Sequence, residues 1–109
     1  MDLDKETQEK IRDLQVYEQN LHSLLMQKQT FQVELSETEN ALSEVEKSKD
    51  DVFKMVGSII IKANKEQIEK DLKQKKDLLS LRLKSIEKQE KGLEEESEKL
   101  REEVMKKIK

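Results

Sequence analysis

The chain has 109 residues, of which 43% are charged, 33% are hydrophobic and 3% are aromatic, and it contains no Pro, Cys or Trp. This composition is typical of long helices or coiled coils, and it excludes a large core within one chain. The absence of Cys excludes disulfides and thiolate metal sites, and 22 basic residues interspersed with 25 acidic ones argue against a nucleic-acid partner.

Neither a membrane span nor a leader is expected. No apolar run approaches the roughly 20 residues that a spanning helix needs. The N-terminal segment MDLDKETQEK lacks the apolar region of a signal peptide. We therefore expect a soluble, cytoplasmic protein with no membrane partner.

A heptad repeat predicts the first helix, at about residues 4–49. A stripe that keeps a period of seven over this length packs against a partner helix. One position of the repeat holds Leu14, Leu21, Leu35 and Leu42, and the other holds Leu3, Tyr17, Leu24, Phe31 and Val45. Lys10, Lys28 and Thr38 interrupt the stripe, and polar residues at such positions cost stability but can fix register or oligomeric state.

The segment DVFKMVGSIIIKAN, residues 51–64, interrupts the helical pattern. Its Val, Ile and Phe residues predict strands at 52–56 and 59–63, because β-branched and aromatic residues favour a pleated sheet. Gly57-Ser58 lies between them, and Gly is preferred at the first central position of a type II′ turn. The segment therefore predicts a β-hairpin.

Two registers of this hairpin are open. A two-residue turn would oppose Met55 to Ile60. An odd-length loop would instead group four apolar side chains on one face: Phe53, Met55, Ile59 and Ile61. The second register separates Lys54 and Lys62 from the apolar face, and we favour it for that reason.

The hairpin needs a partner, because an isolated two-stranded ribbon is marginal in water and has unpaired edges. It could fold over the end of its own coiled coil. The interpretation we favour is that strands from several subunits close a barrel, which removes the edges. The residues expected to carry this oligomerisation are Val52, Phe53, Met55, Val56, Gly57, Ile59, Ile60 and Ile61.

A second heptad repeat predicts the second helix, at about residues 65–109. Its main position holds Leu72, Leu79, Ile86, Leu93 and Leu100. Its second position holds Leu83 and Val104, with the polar residues Lys76, Glu90 and Ser97 at the remaining sites. Asn64 and Gln67 have the spacing of a capping box, in which each side chain satisfies a backbone N–H at the helix start. Two helices of matched length, joined by a short hairpin, predict a mainly α fold: a long antiparallel coiled-coil hairpin with a central β-hairpin, in one domain spanning residues 1–109.

Both termini would then meet at one tip of the coiled coil. Apolar side chains in the terminal turns could bind apolar segments of other proteins, or could simply extend the seam. These candidate residues are Leu3, Ile11, Leu14, Val104, Met105 and Ile108. No catalytic, metal or cofactor site is expected, because His22 stands without Cys or a second His, and the carboxylates of EKGLEEESEKLREE alternate with Lys and Arg.

The chain resembles the β-class subunits of prefoldin, the archaeal kind above all. The resemblance is carried by Phe53, Lys54, Val56, Gly57, the three isoleucines 59–61 and Lys62, set midway between two equal helices. LLMQKQTFQVEL and LRLKSIEKQEKGLEEESEKL in the helices extend it to nearly the whole chain. Phe53 stands where the family often has Tyr.

The resemblance implies a hetero-hexamer of two α-class and four β-class subunits, joined through a double β-barrel from which the coiled coils project. Such particles hold non-native proteins without ATP and deliver them to a group II chaperonin. The alternative function is a structural tether or scaffold that oligomerises through its hairpin. The two hypotheses differ in whether the free tips bind client proteins.

Overall fold

The computed structural model describes residues 4–108, which form two long helices separated by a β-hairpin. Helix α1 spans Lys5–Lys47, strand β1 Val52–Val56, strand β2 Ile59–Ala63 and helix α2 Lys65–Ile108. This order of elements confirms the predicted mainly α fold with a central β-hairpin. Leu3 lies outside the described residues. Neither α1 nor α2 is long and apolar enough to cross a membrane.

Each helix begins with a side-chain cap. Asp4 Oδ1 accepts a hydrogen bond of 2.7 Å from the Thr7 backbone N–H, and Asn64 Oδ1 accepts one of 3.0 Å from the Gln67 N–H. The cap predicted at Asn64 is therefore confirmed. The reciprocal half of the box was wrong, because the Gln67 side chain donates to Asp71 Oδ1 at 2.8 Å, one turn further along the helix.

The first helix ends at Lys47, slightly earlier than the sequence suggested. Carbonyl groups at a helix end have no partner within the helix, and a cation there also meets the negative end of the helix dipole. Lys65 supplies this cation, since its Nζ donates to the Ser48 carbonyl at 2.8 Å and to the Glu46 carbonyl at 3.4 Å. This contact joins the end of α1 to the start of α2 at the base of the hairpin.

The hairpin has the two-residue turn, so the favoured odd-length register was wrong. Val56 pairs with Ile59, and Met55 pairs with Ile60. Gly57 has a φ of +61° and Ser58 has no positive φ, as a type II′ turn requires. Turn geometry fixes the register here, whereas sorting by charge fails because a long Lys stem can lie on an apolar face and still reach water.

The described residues form two compact units, divided between Gln29 and Thr30 in α1 and between Leu83 and Lys84 in α2. In the unit with the helix ends, Asp4 lies beside Lys107 and Lys28 beside Glu90, so the two helices are antiparallel. The helices are also antiparallel in the unit with the hairpin, since Lys65 contacts Ser48 and the Arg82 guanidinium lies 5.7 Å from the centre of the Phe31 ring.

Burial in both units follows the predicted heptads. The unit with the helix ends buries Thr7, Leu24, Ile86, Ser97 and Val104, and the unit with the hairpin buries Thr38, Leu42, Leu79 and Leu83. All of these positions lie on the two repeats, and the other seam residues within residues 4–108 are half-buried. The core of each unit is therefore a narrow seam between its helices, as the period of seven predicted.

Candidate functional site

The β-hairpin carries apolar side chains on both of its faces. Because side chains alternate along a strand and paired residues share a face, the observed register assigns each residue to one side. The Ile59 face contains Val52, Lys54, Val56, Ile59, Ile61 and Ala63. The Ile60 face contains Phe53, Met55, Ile60 and Lys62.

These apolar side chains are largely open to solvent. Met55 is 71% exposed, Ile60 65% and Ile59 63%, although isoleucine is among the residues most often buried in proteins. The described helices therefore do not cover the hairpin, and it does not fold over the end of its own coiled coil. A contiguous apolar surface of this kind is typical of a protein–protein interface.

The two lysines of the hairpin have different surroundings. Lys62 Nζ lies 3.4 Å from Asp51 Oδ2, just before β1. Lys54 lies in the middle of the Ile59 face, opposite Ile61, and has no ion pair among the described residues. The Ile60 face thus has its charge partnered within the chain, and the Ile59 face does not.

The helix ends form the second candidate surface. Lys107 Nζ lies 3.8 Å from Asp4 Oδ2, which places the start of α1 beside the end of α2. Met105 is 48% exposed and Ile108 is 40% exposed. These two side chains offer apolar surface next to the charged pair.

The other predicted tip residues are less available. Val104 is only 5% exposed and belongs to the seam, while Ile11 and Leu14 are half-buried. Leu3 lies outside the described residues. Of the six candidates, the structure therefore presents Met105 and Ile108 on the surface, and it holds Val104 and Leu14 between the helices.

Met105 lies in a shallow groove of about 320 Å³ on the outer side of α2, lined by Glu98, Arg101, Glu102 and Lys106 as well. Arg101 is engaged by Glu98 at 3.1 Å and by Glu18 at 3.7 Å. Its charge is thus satisfied within the chain. The groove combines the apolar Met105 side chain with four charged residues, and a flexible thioether can adapt to varied side chains.

Polar pairs hold the helices together near the same end. Lys10 Nζ lies 3.2 Å from Glu103 Oε2 and 3.5 Å from Glu6 Oε1, and the hydrogen bond to Glu103 raises the pKa of Lys10. The Tyr17 hydroxyl donates to Glu96 Oε2 at 3.3 Å, and the negative charge of Glu96 raises the pKa of Tyr17. These contacts are structural, since they join the two helices along the seam.

Within residues 4–108, no group of three or more His, Cys, Asp or Glu side chains is arranged to hold a metal ion. His22 is exposed on the outer side of α1. The apolar hairpin and the apolar helix ends are the two candidate interaction surfaces that the sequence predicted.

Residues 8–109 match the family model described as prefoldin subunit. The chain belongs to the prefoldin subunit family. It is 40% identical over 90 residues to the prefoldin subunit beta of Pyrobaculum calidifontis, covering 81% of this chain and 72% of the relative. It is 39% identical over 97 residues to that of Thermococcus kodakarensis, covering 87% and 83%.

A solved prefoldin structure has the same fold. The crystal structure of the prefoldin beta subunit from Thermococcus strain KS-1 superposes with a TM-score of 0.89 at 34% identity, over 96% of this chain and 94% of that one. The predicted resemblance to archaeal β-class prefoldin is therefore confirmed. Membership of this family makes the chain a chaperone subunit in a group of proteins that are not enzymes.

Proposed function

We propose that the chain is the β-class subunit of an ATP-independent holdase, which binds unfolded or nascent proteins at its coiled-coil tips and transfers them to a group II chaperonin. The observation that supports client binding is the exposure of Met105 and Ile108 where the helix ends meet. Apolar groups held in this way can engage many unfolded segments, because contact between apolar surfaces requires no particular sequence.

Assembly is the second part of the proposal. The exposed hairpin supports a hetero-hexamer of two α-class and four β-class subunits, joined by an intersubunit β-barrel through the eight predicted oligomerisation residues, 52, 53, 55–57 and 59–61. Residues 1–109 would act as one domain in this particle, which would work in the cytoplasm without nucleic-acid or membrane partners. Several tips acting on one client would add avidity to weak individual contacts.

The test replaces the exposed apolar side chains at the tip. In the assembled particle, the double variant Met105→Ser/Ile108→Ser should suppress aggregation of a chemically denatured client poorly. Burying an apolar side chain is worth about 1.5–3 kcal/mol, and each particle carries several altered tips. The readout is the chaperone concentration that halves light scattering by the client, and we expect it to rise about tenfold or more.

Leu78→Ser/Leu81→Ser is the matched control, because Leu78 is 51% exposed and Leu81 69% exposed on α2, away from the helix ends. This control should protect the client as the unaltered particle does. If both double variants protect equally well, the tip does not bind clients, and the tether hypothesis is favoured. Light scattering of each particle without client checks that assembly is intact.

A further inference from the structure

The Ile59 face of the hairpin contains a charge that the chain does not neutralise. Lys54 pairs with Ile61 across the hairpin and shares its face with Val52 and Val56 on the same strand. Lys54 and Lys62 are the only charged residues in the two strands, and Asp51 is already engaged by Lys62 at 3.4 Å. Within residues 4–108, no carboxylate forms an ion pair with Lys54.

A partner that covers this face also covers the Lys54 stem. Ile59 is 63% exposed and Ile61 42% exposed, so the surface to be buried lies on both sides of the lysine. An ammonium group that loses water without gaining a counter-charge destabilises an interface, whereas a paired and hydrogen-bonded ammonium group is tolerated and confers specificity. A covering strand that supplies an acceptor to Lys54 Nζ would remove this penalty.

A second copy of this chain is poorly suited to that task. Its strands, VFKMV and IIIKA, contain lysine and no acidic residue. Two Ile59 faces in contact would bring together two Lys54 side chains, and like charges held close together across an interface disfavour association. A strand from a different chain, with Asp or Glu facing inward, would neutralise Lys54 instead.

We propose that the Ile59 face docks a β-strand of a different subunit that presents a carboxylate to Lys54 Nζ, and that this ion pair makes assembly heterotypic. The inference rests on the proposed assembly through the hairpin, and it adds the chemistry of the partner strand. Apolar contacts supply most of the buried surface, while the Lys54–carboxylate pair discriminates between a different subunit and a second copy.

The test measures two association equilibria for each variant: self-association of the full-length chain, and its assembly with an archaeal prefoldin α-class subunit. Native mass spectrometry gives the composition of the assemblies, and titration calorimetry gives the dissociation constants. Lys54→Glu should weaken hetero-assembly about tenfold or more, because it places two carboxylates together. Lys54→Met should also weaken hetero-assembly, but it should strengthen self-association because the like charges are gone.

Lys62→Met is the matched control. It removes the same charge from the Ile60 face, where Asp51 already provides a partner. Hetero-assembly of this variant should be within about twofold of the unaltered chain. A compensating series then replaces each Asp and Glu in the strands of the α-class subunit by Lys, one at a time. One of these replacements should restore assembly of Lys54→Glu.

Each negative result would exclude a different part of the proposal. If the unaltered chain assembles with the α-class subunit, and Lys54→Glu and Lys54→Met do so with unchanged affinity, then Lys54 reaches water past the strand edge and the inference is wrong. If no compensating replacement restores Lys54→Glu, a paired carboxylate is likewise excluded. If the unaltered chain forms only homo-oligomers, both the inference and the proposed hetero-hexamer fail, while the client-binding test at the tip remains independent.

Discussion

Lys28 Nζ lies 2.9 Å from Glu90 Oε1 across the seam, with 25% of the Lys28 side chain and 14% of the Glu90 side chain exposed. Both residues occupy heptad positions that apolar residues fill elsewhere. This hydrogen bond raises the pKa of Lys28 above its ordinary value, and the charges of Glu87 and Glu94 raise it further. One cation from α1 thus faces three carboxylates of α2.

The pair can fix the register of the two helices. A slip of one heptad, about 10 Å along the axis, would keep most apolar residues in the seam, so the apolar stripe by itself permits it. The slip would separate Lys28 from Glu90. Because Lys28 is the only Lys, Arg, Asp or Glu between Glu18 and Glu34, no neighbouring side chain of α1 could replace it.

Reversing one charge of the pair should therefore destabilise the coiled coil, and reversing both should restore it. Lys28→Glu places a fourth carboxylate among three, so the melting temperature followed by helical circular dichroism should fall by several degrees. Glu90→Lys should behave similarly, while the double variant should recover most of the loss. Lys88→Glu, at an exposed position on α2, is the control and should change little.

A swapped double variant that melts no higher than the single variants would show that the pair does not act as a unit. The seam would then owe its register to the apolar residues and to the hairpin that joins the helices. A melting curve of Lys88→Glu that falls as far as that of Lys28→Glu would lead to the same conclusion.

Charged side chains on the Ile59 face should prevent assembly. Ile59→Asp/Ile61→Asp adds two carboxylates to a face that the proposed barrel would bury. The carboxylate at position 61 can pair with Lys54 across the hairpin, but the one at position 59 has no such partner, and an unpaired buried charge costs several kcal/mol. Light scattering should detect smaller species, and circular dichroism should show that the helices persist. Leu78→Asp/Leu81→Asp makes the same chemical change on an exposed helical surface and should leave the oligomer intact. An unaltered mass for the hairpin variant would exclude these two residues from the interface.

The sequence predicted the helices and the seam well because both depend on local, periodic information. Thr38 lies on the predicted stripe and is buried, although it is polar, because the helix period places it between the helices. The strand register did not follow from a periodic pattern of this kind. The sequence could indicate the turn at Gly57, but choosing between registers required knowing that Lys54 tolerates an apolar face.

The tip could be predicted only in part. Val104 and Met105 are adjacent and both apolar, yet Val104 is 5% exposed and Met105 48% exposed, because one lies on the heptad and the other beside it. Lys28 could be recognised from the sequence as an interruption of the apolar repeat, whereas Glu90 shares its heptad position with Lys76 and Ser97 and does not stand out. Matching them required the relative register of the two helices, which no single repeat contains.

The stability of the folded chain should depend on pH in the acid range because of the N-terminal cap of α1. Hydrogen bonds from the Thr7 side chain and backbone lower the pKa of Asp4 below its ordinary value of 3.8. The carboxylate therefore stabilises the folded helix above that value, and the stabilisation is lost as the pH falls through the lower folded-state pKa. Asn at position 4 can still cap the helix, so Asp4→Asn should remove this component of the pH dependence.

NMR titration of the Asp4 carboxyl group measures the shift directly. Thr7→Val removes the hydroxyl and keeps the shape, so it should move the pKa of Asp4 back towards 3.8. Thr7→Ser keeps the hydroxyl, so it is the control and should leave the titration of Asp4 as it is in the unaltered chain. An Asp4 pKa that is unchanged in Thr7→Val would show that the hydroxyl does not stabilise the carboxylate.

The two glycines should respond to alanine in opposite directions. Gly57 has a φ of +61°, and a Cβ built on either Gly57 or Gly92 meets nothing within 4 Å, so backbone conformation alone decides the effect. Alanine in the left-handed region costs about 1–2 kcal/mol, and Gly57→Ala should weaken the hairpin and lower the oligomer population at a given concentration. Gly92 lies within α2, where alanine should stabilise the helix by about 0.5–1 kcal/mol. Light scattering and thermal melting of both variants check this, and a Gly57→Ala chain that assembles as tightly as Gly92→Ala would contradict a turn-controlled interface.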